Sequence, residues 1–283
     1  MNDPFITALN TQKAAQGWFM QLAENLGNVY TPGYREKRMT FSDFINGVQS
    51  ANISRKDEQG KSLPGKSPTN LFIEGKGFFV VRKADNSLRF TRLGDFTLNK
   101  DGTLVNAQGA KVQGYLLGEN GEVVNTGDVN APGGAGSTGP NNPPQGQGGT
   151  SQIPTTEISL WADPSNGKFF GKYDEYKIRS DGTVVGLGDG GKTVTPLYKI
   201  ALVNFINPGG LKEVEDYQFV PSDVSGEPMA GSGEIRSGLI EKSNVDMREN
   251  VNYLQQAKLQ LDVTAKLIST NKNLLEESLR LLQ

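Results

Sequence analysis

The last forty residues of the chain carry a heptad repeat that limits what the chain can fold into. Apolar side chains recur seven residues apart, and a second series lies three residues earlier in each heptad. No Gly or Pro interrupts residues 244–283. This pattern is typical of a helix that buries a seam against other helices, and it predicts a C-terminal helix about 50 Å long. The first series is Leu254, Leu261, Ile268, Leu275 and Leu282, and the second is Val251, Lys258, Ala265, Lys272 and Leu279.

A third heptad series widens the apolar surface of this helix. It consists of Leu267, Leu274 and Leu281, on a face next to the first two series. Ser243 or Asn244 is suited to cap the helix, with Asp246 in its first turn. A helix that is apolar on more than one face needs several partners.

The N-terminal residues 1–33 predict a second helix of the same kind. Asp3 and Pro4 favour its start, and Pro32 with Gly33 ends it. The matching seams can pair within one chain as a helical hairpin, or further copies of the chain can cover them. Its two heptad series are Phe5, Gln12, Phe19 and Leu26, and Ala8, Ala15, Leu22 and Val29.

Composition excludes several classes of function. The 283 residues contain no Cys and no His, which removes thiol nucleophiles, disulfides, imidazole bases and the usual zinc ligands. A net charge of −2 means that the chain lacks the excess of positive charge that favours binding to nucleic acid. No apolar run is long enough to cross a membrane, and the first residues do not resemble a cleaved secretory signal. We therefore expect no catalytic or metal-binding residues, no cofactor, no nucleic-acid partner and no membrane insertion.

In the middle of the chain, the pattern of apolar residues changes from a helical repeat to one typical of β-strands. Residues 70–243 contain short β-type runs separated by turn residues, so an all-β domain of short antiparallel strands is predicted there. Residues 34–69 are interpreted as an extended connector, and the Gly- and Pro-rich segment 126–152 as a disordered insertion. The fold class is therefore α+β, with the helices of residues 1–33 and 244–283 pairing as a coiled-coil layer.

One glycine-rich segment imitates a phosphate-binding loop. Residues 186–193 satisfy its spacing, with Lys192 at the lysine position. That loop requires a helix directly after the lysine, whereas β-branched residues and Pro196 follow here. A glycine-rich hairpin is the better interpretation, as it is for the repeated Asp-Gly-Thr turns at 101–103 and 181–183.

Three regions carry recognisable motifs. Residues 25–35 read Asn-x-x-Asn-x-x-Thr-x-Gly-Tyr-Arg, residues 73–109 contain short β-type runs with glycine turns, and residues 233–246 contain Gly-x-Ile-Glu-x-Ser-Asn-Val-Asp. These motifs resemble those of the axial proteins of the bacterial flagellum, the rod and hook subunits. The chain departs from that family at Gly27, where Ala is usual, at Ile240, where Leu is usual, and over residues 255–258. The motif residues at the two ends are Asn25, Asn28, Thr31, Gly33, Tyr34, Ser243, Asn244 and Val245.

The resemblance implies a structural subunit and not an enzyme. Such subunits polymerise helically in the flagellar basal body, contact other rod and hook subunits, and pass through the type III export apparatus. Length favours a rod protein over a hook protein, and the Gly-rich insertion favours the distal rod. The expected assembly interface comprises Phe5, Ala8, Ala15, Phe19, Leu22, Leu26, Val29, Val251, Leu254, Leu261, Ala265, Ile268, Leu275, Leu279 and Leu282.

Two alternatives from other classes stay open. A β-rich adhesin or carbohydrate-binding module with a helical stalk would need an exposed aromatic platform, for which Trp161 and Tyr173 are the candidates. An enzyme would have to use the glycine-rich segment around Lys192. The open seams also predict that both ends are largely disordered in the free subunit and fold on assembly.

Overall fold

The computed structural model divides the chain into two compact units. The first contains residues 1–61 and 242–283, and the second contains residues 62–241. The structure describes residues 4–44, 47–56, 58–118, 120–123, 156–160, 173–214 and 217–280. The predicted insertion 126–152 and Trp161 lie outside these residues.

The first unit combines two long helices with one β-hairpin. Helix α1 spans Pro4–Gly27 and helix α2 spans Met247–Arg280. Strands β1 (Lys37–Phe44) and β2 (Gly47–Arg55) pair antiparallel between them in the chain, with an irregularity between Met39 and Phe41. Both predicted helices are therefore present, although α1 ends at Gly27, before the predicted Gly33, and α2 begins at Met247, after the predicted Asn244.

The hairpin differs from our expectation of an extended connector over residues 34–69. The pair Phe44–Gly47 is the last one in the register of the two strands. The hairpin also supports α1, which contacts both strands. A Cβ atom placed on Gly17 would lie 3.4 Å from the Met39 side chain, so this face of α1 packs closely against β1.

The second unit is built from short antiparallel strands, in agreement with the predicted β-rich domain. Eight strands form the main path of a 13-stranded sheet in the order β11-β12-β13-β9-β5-β6-β16-β15, and the pairs β18–β4 and β19–β3 form two small sheets. The strands are β3 Ser62–Pro64, β4 Leu71–Glu74, β5 Phe78–Arg82, β6 Leu88–Thr91, β7 Thr97–Leu98, β8 Leu104–Val105, β9 Lys111–Leu116, β10 Thr156–Glu157, β11 Glu175–Ile178, β12 Thr183–Gly188, β13 Thr193–Ile200, β14 Leu202–Asn204, β15 Lys212–Glu213, β16 Gln218–Val220, β17 Met229–Ala230, β18 Glu234–Ser237 and β19 Leu239–Glu241.

Strand β5 separates two apolar clusters of this unit. Successive side chains of a strand point to opposite faces. Phe79 and Val81 therefore enter one cluster with Phe96, whereas Val80 enters the other with Phe205. The rings of Phe79 and Phe96 meet edge to face with centroids 5.1 Å apart. The continuous apolar run of β5 is explained by burial on both of its faces.

The glycine-rich segment 186–193 forms a hairpin, as predicted. Gly188 pairs with Thr193 across the turn between β12 and β13. A strand follows Lys192 where a phosphate-binding loop would need a helix. The repeated Asp-Gly-Thr segments are also matching turns, since the N–H groups of Gly102 and Gly182 each donate to a carbonyl three residues earlier, at 3.0 Å.

Neither helix in the described part of the chain is apolar enough over a long enough stretch to cross a membrane.

Candidate assembly site at the helix junction

Motif residues of the N-terminal region meet around the side chain of Asn25, which is completely buried at the end of α1. Its Oδ1 accepts hydrogen bonds from the Tyr34 hydroxyl (2.9 Å) and from the N–H of Lys37 (3.1 Å). Its Nδ2 donates to the Lys37 carbonyl (2.8 Å) and to Oδ1 of Asn250 (3.1 Å). The amide thus joins α1, the following loop, β1 and α2.

A tight loop after α1 positions the buried ring of Tyr34. The Thr31 hydroxyl donates to Oδ1 of Asn28 (3.0 Å), and the Asn28 amide donates to the Glu24 carbonyl (2.9 Å). Gly33 follows with a φ of 69°, a left-handed conformation that glycine adopts without strain. The spacing of this motif is therefore that of a helix end that returns Tyr34 to Asn25.

The C-terminal motif meets the N-terminal motif through Asn244. Its Oδ1 accepts from the N–H of Glu36 (2.6 Å), and its Nδ2 donates to the carbonyls of Lys56 (3.0 Å) and Glu58 (2.7 Å). The Asn244 N–H donates to the Tyr34 carbonyl at 3.3 Å. The adjacent Ser243 hydroxyl accepts from the N–H of Val245 at 3.3 Å. Residues more than 200 positions apart in the sequence therefore form one site.

Sequence reasoning missed two central members of this junction, Glu36 and Asn250. Asn250 Nδ2 donates to Glu36 Oε1 (3.3 Å) and to the Asp246 carbonyl (2.9 Å). The Glu36 side chain is 2% exposed and lies 3.6 Å from Arg38 and 3.9 Å from Lys56. The one signal for Asn250 was its position, seven residues before Ala257 and fourteen before Thr264.

Within a single chain, α2 packs with the first of its two predicted heptad series. The predicted second series is exposed, and another series is buried in its place. Leu254, Leu261 and Ile268 of the predicted first series are half-buried. The residues that are fully buried are Asn250, Ala257 and Thr264. This series flanks the leucine series on the side opposite to Val251, Lys258 and Ala265. Its small side chains and the alanines of α1 allow the two helices to approach closely.

The predicted interface residues fall into four groups in one chain. Those of α1 and its end are more enclosed than those of α2. Ala8, Ala15, Leu22 and Val29 are buried, whereas Phe5, Phe19, Leu26, Leu254, Leu261 and Ile268 are half-buried; Val251, Ala265, Leu275 and Leu279 are exposed, and Leu282 lies outside the described residues.

Large apolar side chains remain exposed on both helices. The third heptad series is among them, with Leu267 at 51% and Leu274 at 55% exposure. The pairing of α1 with α2 therefore buries one face of α2 and leaves a second apolar face open to solvent. The exposed apolar residues of the two helices are Ile6, Leu9, Met20, Met247, Val251, Tyr253, Leu259, Val263, Leu267, Leu274, Leu275 and Leu279.

Helix α2 is capped by Asp246 and not by Ser243 or Asn244 as we predicted. Asp246 Oδ1 accepts from the N–H groups of Arg248 (2.9 Å) and Glu249 (3.1 Å). Asn244 is unavailable as a cap because its side chain binds the backbone of residues 36, 56 and 58. The preceding loop is thereby fixed, and the helix begins three residues later than predicted.

We expect the first turn of α2 to weaken in acid. The N–H groups of Glu249 and Arg248 hold the pKa of the Asp246 carboxyl below its ordinary value of 3.8. A lowered pKa in the folded state means that this cap stabilises the helix above the ordinary pKa and is lost as pH falls through the folded pKa. An NMR titration of the Asp246 carboxyl and of the amides of 247–250 measures this directly. Asp246→Asn keeps the acceptor oxygen without titrating, so an identical acid transition in that variant would contradict the assignment.

The described residues offer no metal site, since they include no group of three or more His, Cys, Asp or Glu side chains suited to hold an ion. The chemistry of the junction is hydrogen bonding between helices and loops. Its potential for binding lies in the exposed apolar face of the paired helices.

Comparison with known proteins gives a consistent result. A family model described as the flagellar hook protein FlgE/F/G D1 domain matches residues 72–186, within the β-rich unit. The flagellar basal-body rod protein FlgG of Borreliella burgdorferi is 25% identical over 95% of this chain and 94% of that protein. FlgG of Bacillus subtilis is 26% identical over 92% of this chain and 91% of that protein.

A hook protein is also similar, over a shorter region. The flagellar hook protein FlgE of Borreliella burgdorferi is 36% identical over 47% of this chain, and the match covers 33% of that longer protein. The rod proteins match over more than nine-tenths of this chain and of their own length. The chain is therefore similar to flagellar rod proteins over nearly its whole length and to a hook protein over about half of it, which supports the family of flagellar axial proteins.

Proposed function

We propose that this chain is a structural subunit of the flagellar basal-body rod, and that it polymerises helically with copies of itself. Relatives named basal-body rod protein match it over nearly its whole length, which supports the rod over the hook. A hook subunit is the alternative within the same family, favoured by the higher identity of the hook protein over about half of this chain.

The observation that carries the proposal is the apolar face of α2 that α1 leaves uncovered. Leu259, Val263, Leu267 and Leu274 are each 48–65% exposed in one chain. Burying a large apolar side chain contributes about 1.5–3 kcal/mol, so several such residues together supply a strong drive to associate. Side chains at this spacing are suited to pack against another helix.

We infer that the helices of neighbouring copies form a coiled-coil layer, with the predicted interface residues in its seams. Contacts of this kind between identical subunits that do not close into a ring generate a helical polymer. The further partners in this proposal are other rod and hook subunits at the ends of the polymer and the export apparatus during assembly. The site of action is the basal body of the bacterial flagellum.

The adhesin alternative receives little support from the described residues. Tyr173, one of its two candidate aromatics, is half-buried. Its ring lies so close to Gly186 that a Cβ atom at that position would be 2.6 Å from it. This ring is therefore part of the packing of the β-rich unit and does not form a sugar-binding platform.

The proposal predicts that charges on the open face of α2 abolish self-association. We expect Leu267→Glu/Leu274→Glu to remain monomeric at concentrations where the unmodified chain forms polymers, as measured by sedimentation velocity and electron microscopy. Both positions are exposed in one chain, so the helix content by circular dichroism should be unchanged. Asn273→Glu adds a charge at an exposed polar position and serves as the matched control, which should polymerise.

Amide hydrogen exchange distinguishes the remaining outcomes. We expect the paired helices of residues 4–33 and 244–280 to exchange faster than the β-rich unit in dilute protein, because one apolar face is open, and to gain protection on assembly. A chain that stays monomeric at every concentration, with both ends protected, would contradict the proposal and favour a binding module. Polymers of the double variant would show that the open face is not the interface.

A further inference from the structure

We propose that the buried amide pair Asn25–Asn250 locks α1 and α2 in one register, which their apolar seam alone does not select. Both side chains are 0% exposed, and Asn25 Nδ2 donates to Asn250 Oδ1 at 3.1 Å. The end of α1 thus meets the start of α2. The rings of Trp18 and Tyr253 also lie 6.1 Å apart, so the helices run antiparallel.

The apolar seam permits more than one register because it repeats every seven residues. Helix α2 has 34 residues and α1 has 24. With Asn25 opposite Asn250, the start of α1 lies opposite residue 271 or so, and residues 272–280 extend beyond α1. A shift of α1 by one heptad along α2 would replace Leu254, Leu261 and Ile268 with Leu261, Ile268 and Leu275. The shifted seam is as apolar as the native one.

The polar atoms distinguish the two registers. In the shifted register Asn25 would face Ala257, and its Nδ2 would lose the acceptor that Asn250 provides. Asn250 Nδ2 would likewise lose Glu36 Oε1 as an acceptor. A buried amide without its partner is strongly unfavourable, and a polar pair at one seam position is a known means of fixing helix register. Asn250 is the residue that makes the first heptad of the seam unlike the next.

The network also fixes the orientation of both amides. Asn25 Oδ1 accepts two donors, from Tyr34 and Lys37, and its Nδ2 donates twice. A flipped amide would place Nδ2 against the Tyr34 hydroxyl and the Lys37 N–H, both of which donate in the native arrangement. The two amides therefore satisfy their hydrogen bonds in one orientation only, and the loop after α1 holds them in that orientation.

The register has a consequence that rests on the proposed function. It decides which residues of α2 extend beyond α1, and therefore which apolar side chains each subunit presents to the next. The test below uses the isolated subunit and does not depend on polymerisation. A negative result for the lock would leave the proposed function standing, and the reverse also holds.

The test determines the register from the distance between two spin labels, one on each helix, measured by pulsed electron spin resonance. The chain contains no Cys, so Ala23→Cys and Lys272→Cys, both at exposed positions, place one label on each helix. Residue 23 lies opposite residue 252 or so, which separates the labels by about 30 Å along the axis at 1.5 Å per residue. A shift by one heptad towards the end of α2 shortens this separation by about 10 Å.

We expect one distance in the labelled parent and a second, shorter distance in labelled Asn250→Ala. That variant places Ala opposite Asn25 in both registers, so the polar preference for the native register is removed. Asn25→Ala removes the pair from the other helix and should show the same second distance. Thr264→Ala, which changes a buried residue of the same seam outside the network, is the control and should keep one distance.

Three outcomes would overturn the lock. The first is a single native distance in either folded asparagine variant, and the second is a second distance in Thr264→Ala. The third is loss of helical circular dichroism in both asparagine variants while Thr264→Ala stays folded, because the pair would then be required for folding itself and not for register.

Discussion

Gly94→Ala is expected to prevent stable folding of the β-rich unit. A Cβ atom at Gly94 would lie 1.7 Å from the Leu71 carbonyl oxygen and 3.2 Å from the Phe79 ring. The same segment is bonded to β4, because the Leu71 N–H donates to the Gly94 carbonyl at 2.8 Å. The added methyl group therefore meets backbone that cannot move without breaking this bond. We expect a loss of about 4 kcal/mol or more in the free energy of unfolding, the range of severe core defects.

Gly109→Ala is the matched control for this substitution. Gly109 has a φ of 77°, and a Cβ atom there would have no neighbour within 4 Å. Only the left-handed conformation opposes alanine at this position, at a cost of about 1–2 kcal/mol. Denaturant unfolding and amide exchange of residues 70–116 in the full chain measure both variants. Equal losses would show that the close approach of Gly94 to Leu71 is not the dominant effect.

Arg92→Met has the second large expected effect, a loss of about 3–5 kcal/mol in the free energy of unfolding. Arg92 and Glu241 are 4% and 2% exposed, with Nε and Oε2 3.1 Å apart. The guanidinium also donates to the carbonyls of Gly75 and Gly77 and lies 6.0 Å from the Phe78 ring centroid. Methionine would fill much of the space but remove the guanidinium N–H groups that bind a buried carboxylate and two carbonyls.

The exposed ion pair between Arg236 and Glu74 provides the control. Its Nε–Oε2 distance of 2.6 Å is shorter than that of the buried pair, but its side chains are 52% and 53% exposed. Arg236→Met should cost less than about 1 kcal/mol, because solvent screens exposed pairs. The double variant Arg92→Met/Glu241→Met should recover part of the loss. A cost for Arg92→Met no larger than for Arg236→Met would contradict the role of burial.

Much of the fold followed from local patterns in the sequence. Both terminal helices lie where the heptads predicted them, because a seven-residue apolar repeat has no other regular solution. Residues 78–82 form a strand buried on both faces, as a continuous run of apolar and aromatic residues indicates. The Asp-Gly turns and the 186–193 hairpin were also predictable, since turn chemistry is decided by neighbouring residues. The motifs at both ends indicated the family before any geometry was known.

Only the tertiary structure decided which residues face which partner. A heptad series lies on each side of the leucines of α2, and the sequence does not show which one is buried. Contact with α1 buries the series of Asn250, Ala257 and Thr264. The burial of the charged residues Glu36 and Arg92 does not follow from local sequence, because Asn250 and Glu241, which bind them, are distant in the chain. Asp246 became the cap only because Asn244 was already bound to the loop before β1 and to the residues after β2. Local sequence sets the period of each element, whereas the choice of buried face and polar partner depends on segments that meet only after folding.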